Sequence, residues 1–109
     1  MKIIEVNKQD PYYSFCIQGK KTIEGRLNKG KFALIEVGDI IKTNNAALFE
    51  VTEKKLYQTF KDMILSEGIE NVTPDKKSID EAISVYRQFY TPEQEKEFGV
   101  VAIKIKKIN

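Results

Sequence analysis

Three charged residues with close spacing carry the strongest chemical signal in the sequence. They are Lys21, Glu24 and Arg26, in the run 19–26 that reads GKKTIEGR. Arginine presents a planar fork of donors that binds phosphate or carboxylate in a bidentate manner, whereas lysine acts as a point charge. A cluster of these types would offer directed donors to a nucleobase edge or a phosphate. The alternative is an ordinary ion pair at the surface, which would contribute little to stability.

The convergence of these side chains depends on a strand predicted over residues 22–27. Side chains alternate between the two faces of a strand, so Glu24 and Arg26 share a face. Lys21 would point away from them if it belonged to the same straight strand. If it lies in the turn before the strand, it can converge with Glu24. Thr22 shares the face of Glu24 and adds a hydroxyl near the cluster.

The predicted strands are short and are separated by turn-forming residues. They cover residues 2–6, 22–27, 40–42, 47–56 and 101–106. Apolar and polar residues alternate in the last strand, which predicts that one of its faces is exposed to water. Asn44 and Asn45 predict a hairpin between the third and fourth strands. Residues 28–31 are polar and turn-like.

Capping residues mark the predicted helix starts. Asp10, which precedes a proline, predicts a first helix that ends at Gly19, and Thr59 predicts a second. Ser78 and Thr91 each open a capping box, in which the hydroxyl and a Glu or Gln three residues later satisfy backbone amides. Apolar positions near a 3.6-residue period predict a core-facing stripe at Ile79, Ala82, Ile83, Tyr86 and Tyr90. Short strands with helices beside them indicate an α+β fold around a small sheet or barrel.

Composition narrows the class of protein. The 109 residues predict one domain over 1–109, and 41% hydrophobic with 31% charged residues suits a soluble chain with a core. The absence of histidine and the single cysteine, Cys16, argue against a zinc site and an internal disulfide. No metal or other cofactor is expected. No apolar run approaches the roughly 18 residues of a membrane span, and the N-terminus does not resemble a signal peptide, so a cytoplasmic location is expected.

Charge and aromatic residues concentrate at the start of the chain. Residues 1–31 contain seven Lys and Arg against three acidic residues, whereas the rest contains eleven against thirteen. A local basic patch suits a small anionic ligand or a short stretch of nucleic acid. Single-stranded RNA is commonly bound by stacking its bases on aromatic rings beside basic side chains. Tyr12 and Tyr13 are adjacent and cannot both point inward, so one can lie at the edge of a cleft.

Several separated motifs resemble those of the ASCH domain family. The first is the pattern F-x-I-x-G-K-K-T-I-E-G-R, which ends at Arg26. The resemblance continues through residues 27–32, 37–40, 77–82, 85–90 and 99–103, and so covers nearly the whole chain. It implies a PUA-like small β-barrel with flanking helices, and a cleft that bears the signature G-x-K-x-x-E-x-R.

The resemblance also implies two kinds of function. Proteins similar to this one are suggested to bind RNA, and some small bacterial members resemble amidohydrolases that deacetylate N4-acetylcytidine. The residues implied in those enzymes are a Lys, a Thr three positions later, and a Glu further along the chain. The Lys falls on Lys21, the position of the Thr holds Glu24, and the distant Glu falls on Glu67 or on Glu70, with Glu67 preferred.

Three hypotheses follow for the chain. The first is an RNA- or nucleoside-binding domain, whose predicted ligand-binding residues are Lys21, Thr22, Glu24, Arg26 and Tyr13. The second is an amidohydrolase acting on an acylated nucleoside, in which Glu24 or Glu67 deprotonates a water while Lys21 stabilises the oxyanion. Thr22 is a further candidate nucleophile in that reaction. The third is a protein-interaction domain whose charged signature stabilises the barrel.

Overall fold

The computed structural model describes residues 1–108, and its strands form one curled, five-stranded sheet. The strands are β1 (Ile3–Val6), β2 (Ile23–Leu27), β3 (Ile40–Thr43), β4 (Ala47–Tyr57) and β5 (Val100–Lys107). Their order in the sheet is β1-β3-β4-β5-β2, with β1 parallel to β3 and every other neighbouring pair antiparallel. The sheet forms a half-barrel, which confirms the predicted α+β, PUA-like fold. Strands β1 and β2 are its two edges.

The helices lie between the strands. Within residues 1–108 they are α1 (Tyr12–Ile17), α2 (Gly30–Ala33), α3 (Phe60–Glu67), α4 (Ile69–Val72), α5 (Ile79–Arg87) and α6 (Pro92–Phe98). The four-residue helices α2 and α4 were not predicted, because one turn is too short to show a helical period. Helix α2 takes up part of the segment 28–31 that was predicted as a turn. In the described part of the chain, no helix has the length and apolar character to cross a membrane.

The caps predicted at Thr59, Ser78 and Thr91 and the predicted hairpin are confirmed. Thr59 Oγ1 accepts a hydrogen bond from the Asp62 amide at 3.0 Å, and complete capping boxes begin at Ser78 and Thr91. Between β3 and β4, Asn44 and Asn45 have φ angles of 53° and 55°, the left-handed pair that a tight hairpin turn requires. These signals fix the ends of the elements that carry the site.

The end of α1 places Lys21 in the turn before β2. Gly19 has a φ of 77°, and its amide donates to the Cys16 carbonyl at 3.1 Å. The Lys20 amide donates to the Phe15 carbonyl at 2.9 Å, which completes a Schellman motif. The Lys21 amide also donates to Phe15, at 3.1 Å. Lys21 is therefore released from the alternation of β2, as its convergence with Glu24 requires.

The predicted start of α1 is wrong by one residue. Asp10 was predicted to cap a helix whose first residue is Pro11, but the helix begins at Tyr12. The Asp10 carboxylate instead accepts hydrogen bonds from the amide and the hydroxyl of Ser14, at 3.0 and 2.6 Å. The carboxylate still satisfies a backbone donor of the first turn, but from a position further back along the chain.

Strand β5 contributes to two hydrophobic clusters. The first cluster includes Val101, Ile103 and Ile105, and the second includes Val100 and Ala102. The second cluster also contains buried residues of α3 and α5. The prediction that one face of this strand is exposed is therefore wrong before Lys104, because these helices cover that face.

Candidate functional site

A cavity of about 390 Å³ lies beside β2. Its walls come from residues 7–12 after β1, from Lys21 and residues 24–26, from the loop after α4, and from the C-terminal end of α5 with the residues that follow it. Small-molecule sites in proteins have volumes of roughly 300–1,000 Å³. The cavity is therefore large enough to take a ligand, and it combines charged groups with aromatic rings.

Glu24 is paired with two cations in the cavity wall. Its Oε2 contacts Nζ of Lys8, and its Oε1 accepts a hydrogen bond from Nε of Arg26 at 2.8 Å. The side chains of Lys8 and Glu24 are both buried. Because Lys8 follows β1 and Glu24 lies in β2, their ion pair joins the two edges of the sheet. Burial lowers the pKa of Lys8 to about 7, the nearby Lys21 and Arg26 charges act in the same direction, and Cys16 acts in the opposite direction.

Arg26 is held on two sides. Its guanidinium carbon lies 4.7 Å from the ring centroid of Phe32, a cation–π contact, while Glu24 binds its Nε. The Arg26 side chain is 22% exposed. The N–H groups on its two Nη atoms lie outside the hydrogen bond to Glu24 and provide the bidentate edge that suits a phosphate. Arg26 is thus oriented in advance of any ligand.

Lys21 is buried in the same wall. Its Nζ donates to the backbone carbonyls of Ile23 and Val72, both at 2.6 Å, and lies 5.8 Å from the ring centroid of Tyr12. Burial lowers the pKa of Lys21 to about 8. Near that pH the group exchanges between a charged donor and a neutral amine.

The loop after α4 contributes Thr73, Asp75 and Lys76 to the cavity lining. The Tyr12 hydroxyl donates to Asp75 Oδ1 at 3.2 Å. Burial and the Asp75 carboxylate raise the pKa of Tyr12 to about 12, so the hydroxyl remains a donor at neutral pH. Thr73 Oγ1 is buried and has no hydrogen-bond partner among the described residues. An unpaired buried hydroxyl is costly, which makes Thr73 a candidate contact for a polar ligand.

Aromatic rings form another part of the cavity wall. Tyr86 and Tyr90 stack on Phe60, with ring centroids 4.3 and 5.6 Å apart, and both belong to or pack against the second cluster. The prediction that they serve the core is confirmed, although both also line the cavity. Phe89 lies beside Tyr90 and is 57% exposed. A large exposed ring at the edge of a polar cavity can stack on a nucleobase.

The structure brings together some of the predicted site residues and not others. Lys21, Glu24 and Arg26 all line the cavity, whereas Glu67 and Glu70 do not. Glu67 accepts a hydrogen bond from the Tyr57 hydroxyl instead. Among the described residues, the acidic side chains of the lining are Asp10, Glu24 and Asp75. No group of three or more His, Cys, Asp or Glu within residues 1–108 could hold a metal ion.

Two other predicted ligand-binding residues lie outside the cavity lining. Tyr13 packs against the first hydrophobic cluster, and its neighbour Tyr12 is the one that reaches the cavity. The Thr22 amide donates to the Asn71 carbonyl at 3.0 Å, and its own carbonyl accepts from the Ile105 amide at 2.9 Å. Thr22 therefore anchors the start of β2 through its backbone.

Sequence reasoning did not single out Lys8, Thr73 or Asp75. A signal for Lys8 was present, because it follows the buried Val6 by two residues and so shares its direction if the extended chain continues. Thr73 and Asp75 follow a one-turn helix in an irregular loop. No periodic pattern predicts the direction of side chains there.

Comparison with protein families gives one match that spans most of the chain. The sequence model described as "ASCH domain" matches residues 6–109. A search among functionally curated proteins found no match.

Solved structures include relatives of nearly the same length. Hypothetical protein PH0355 is 47% identical, with a TM-score of 0.94, over 99% of this chain and 100% of its own. Protein PF0455 from Pyrococcus furiosus is 40% identical, with a TM-score of 0.85, over 100% of this chain and 99% of its own. A single-residue variant of ZmASCH from Zymomonas mobilis shares 11% identity and a TM-score of 0.58, over 98% of this chain and 73% of its own. That last similarity concerns the fold alone.

Proposed function

The chain belongs to the ASCH domain family, and we propose that it binds single-stranded RNA by taking one nucleoside unit into the cavity beside β2. One observation carries this proposal: oriented cations and aromatic rings line the same cavity of about 390 Å³. Arg26 would contact a phosphate, and Phe89 or Tyr12 would stack on the base. Thr73 would hydrogen-bond to a polar edge of the nucleoside.

The pairing of Glu24 favours binding over catalysis. A general base needs a carboxylate oxygen within hydrogen-bond reach of the water that it deprotonates. Each oxygen of Glu24 already has a cationic partner, Lys8 or Arg26. In the proposed function Glu24 therefore orients Arg26 and takes no part in chemistry.

Binding is tested with a fluorescently labelled eight-nucleotide RNA, followed by anisotropy at several salt concentrations. We expect affinity to fall as salt rises, with a slope in log–log form of roughly −0.7 for each phosphate contacted. Phe89→Ala should weaken binding by about tenfold through the loss of one stacked base. Arg26→Met should weaken binding and make the salt slope shallower by roughly 0.7.

Lys107→Met is the matched control for charge, because Lys107 is exposed at the end of β5 and lines neither this cavity nor its neighbour. It should bind like the unsubstituted protein. If RNA binding were absent, or if Lys107→Met weakened it as much as Arg26→Met, the cavity would not be the binding site. If the protein neither bound RNA nor deacetylated N4-acetylcytidine, the protein-interaction hypothesis would be the better account.

A second candidate, an amidohydrolase acting on N4-acetylcytidine, is favoured by Lys21. Its pKa of about 8 makes a neutral amine accessible near neutral pH. That amine would take a proton from water, the resulting hydroxide would add to the acetyl carbonyl, and the C–N bond would break. The proton would pass from Lys21 to the cytidine nitrogen, giving cytidine and acetic acid, which releases its own proton to solvent as acetate.

Chromatographic detection of cytidine from N4-acetylcytidine tests this candidate. We expect Lys21→Met to abolish turnover and Lys107→Met to leave it unchanged. Glu67→Gln then tests whether Glu67, the acid implied by the resemblance, takes part in the reaction. Loss of turnover in that variant would contradict a reaction located in the cavity, because Glu67 lies outside its lining.

A further inference from the structure

A second cavity adjoins the first across a shared aromatic wall. Its volume is about 320 Å³, and its lining includes Phe89 and Tyr90, which also line the first cavity. The remaining wall comes from Leu27 at the end of β2, from α2 and the residue before it, and from Gln94. The two cavities therefore share these two rings as part of their lining.

Arg26 and Phe32 form a second link between the cavities. Arg26 lines the first cavity and Phe32 lines the second, and the guanidinium lies 4.7 Å from the Phe32 ring centroid. The Nη donors of Arg26 are thus near the boundary. A group bound at this boundary would be held from the first cavity and from the second.

The charges in the second cavity are all positive. Its charged lining residues are Lys29 and Lys31, both exposed, and the described lining contains no acidic side chain. Lys29 Nζ lies 4.6 Å from the Phe98 ring centroid. Lys31 Nζ lies 5.6 Å from the Phe32 ring centroid and donates to the Glu5 carbonyl at 2.6 Å. An ammonium group has three donors, so these contacts leave donors for an anion.

We propose that the second cavity binds the neighbouring nucleotide of an RNA strand whose first unit occupies the first cavity. This inference rests on the proposed RNA-binding function and makes its ligand an oligonucleotide of two or more units. The linking phosphate lies at Arg26, and the next base stacks on Phe89 or Phe32. Lys29 and Lys31 bind the phosphate that follows.

The alternation of rings and cations carries this inference. Single-strand binding sites combine a basic groove along the backbone with rings on which successive bases stack. A free nucleoside in the first cavity would make no contact with Lys29 and Lys31 in the second. A small anion would make no use of Phe32 and Phe89.

The test compares nucleosides with short strands in a titration followed by amide chemical shifts. The probes are adenosine, cytidine, guanosine and uridine, and the matching dinucleotides ApA, CpC, GpG and UpU with a 3′-terminal phosphate. We expect the tightest dinucleotide to bind roughly tenfold more tightly than its nucleoside, because one more base is stacked and the phosphates gain cationic contacts. The dinucleotide should also shift the amides of residues 29–32, which the nucleoside should leave unchanged.

Variants then test whether the second cavity is responsible for the tighter binding of the dinucleotide relative to the nucleoside. Lys29→Met combined with Lys31→Met should reduce the gain of the dinucleotide over the nucleoside to about twofold or threefold. Lys107→Met should retain the full gain. Equal affinity for nucleoside and dinucleotide, with no shifts at residues 29–32, would overturn the second cavity as a subsite while nucleoside binding still supported the first. If no nucleoside and no dinucleotide bound, both proposals would fail together.

Discussion

The environment of Glu24 is set by its two cationic partners, Lys8 and Arg26. Glu24 is the acidic residue of the signature G-x-K-x-x-E-x-R and lies in the strand after Lys21. From the sequence alone it could act as a catalytic base, form an ion pair or contact a ligand. In the structure Glu24 forms ion pairs, in which Lys8 and Arg26 each contact one carboxylate oxygen. Removing one member of a buried pair strands the charge of the other, which is why such pairs tolerate single substitutions poorly.

Glu24→Gln tests this account at the level of the residue. The substitution keeps the shape of the side chain but leaves the buried Lys8 ammonium without a counter-charge. We expect the free energy of unfolding at pH 7 to fall by roughly 3–5 kcal/mol. Urea unfolding followed by circular dichroism measures the change.

Two comparisons make the result specific. Glu50→Gln, at an exposed position of β4, should change the free energy of unfolding by less than about 0.5 kcal/mol. Lys8→Met added to Glu24→Gln should recover part of the loss, because it removes the stranded charge. A loss below about 1 kcal/mol in Glu24→Gln alone would show that the pair is not structural.

Lys21 predicts a dependence of stability on pH. Its pKa is lowered from 10.5 to about 8 in the folded chain by burial. Between these values the unfolded chain holds the proton that the folded chain has released, so stability rises as pH rises from about 8 to 10.5. One group contributes at most about 1.4 kcal/mol per pH unit in such a window.

Lys21→Met isolates this contribution. Unfolding free energies of the two proteins are measured from pH 7.5 to pH 10, and the value for the variant is subtracted. We expect this difference in unfolding free energy to increase by about 2–3 kcal/mol across that range, because the variant lacks the group that releases its proton on folding. A difference that stays flat would mean that Lys21 keeps its ordinary pKa and is not desolvated in the folded state.

At the level of elements, the sequence predicted what depends on near neighbours. The capping boxes at Ser78 and Thr91 and the turn at Asn44 and Asn45 involve partners within a few residues, and all are present. The pairing of Lys8 with Glu24 could not be predicted from the sequence, because it exists only where the curled sheet brings its two edges together.

The positions of the Glu67 and Asp75 side chains could not be predicted from the sequence for a related reason. Glu67 lies near the end of α3, where the hydroxyl of Tyr57 in β4 binds it. Asp75 reaches the cavity from a loop, which no periodic pattern describes. A motif position predicts a residue type near the site, but the direction of a side chain depends on how the elements pack.

Gly25 lets α3 and α5 pack closely against β2. A Cβ atom at this position would lie 2.6 Å from Met63 Cε and 3.1 Å from the Tyr86 hydroxyl. Met63 is fully buried, so its side chain has little room to move. We expect Gly25→Ala to lower the free energy of unfolding by about 1–3 kcal/mol and to weaken RNA binding, because Tyr86 is shared with the cavity wall.

A double-variant cycle tests the cause of that loss. Met63→Ala removes the colliding atoms, so Gly25→Ala should cost less in its presence than in the unsubstituted chain. Chemical denaturation of the four proteins gives the coupling free energy. Additive losses would mean that the glycine is required for backbone reasons and not for the approach of Met63.

At the level of the whole molecule, the two hydrophobic clusters share one strand. Successive residues of β5 alternate between them, with Val101 and Ile103 in the first and Val100 and Ala102 in the second. Neither cluster can lose its packing without exposing one face of β5. The first cluster supports the residues around Lys8, and the second supports the aromatic wall of the cavity.

Phe60→Leu tests whether this shared strand makes the protein a single cooperative unit. Phe60 is fully buried in the second cluster, where Tyr86 and Tyr90 stack on it. We expect the variant to lose roughly 1–3 kcal/mol of stability and to unfold in one transition, because β5 couples both clusters. Tyrosine fluorescence includes the signal of Tyr86 and Tyr90 in the aromatic wall, and far-ultraviolet circular dichroism reports on the backbone of helices and strands together. Their midpoints in urea should coincide in both proteins. If fluorescence changed at a lower urea concentration than circular dichroism in Phe60→Leu, the helical face would unfold separately, and the cavity wall would be a local structure carried on an independently stable sheet.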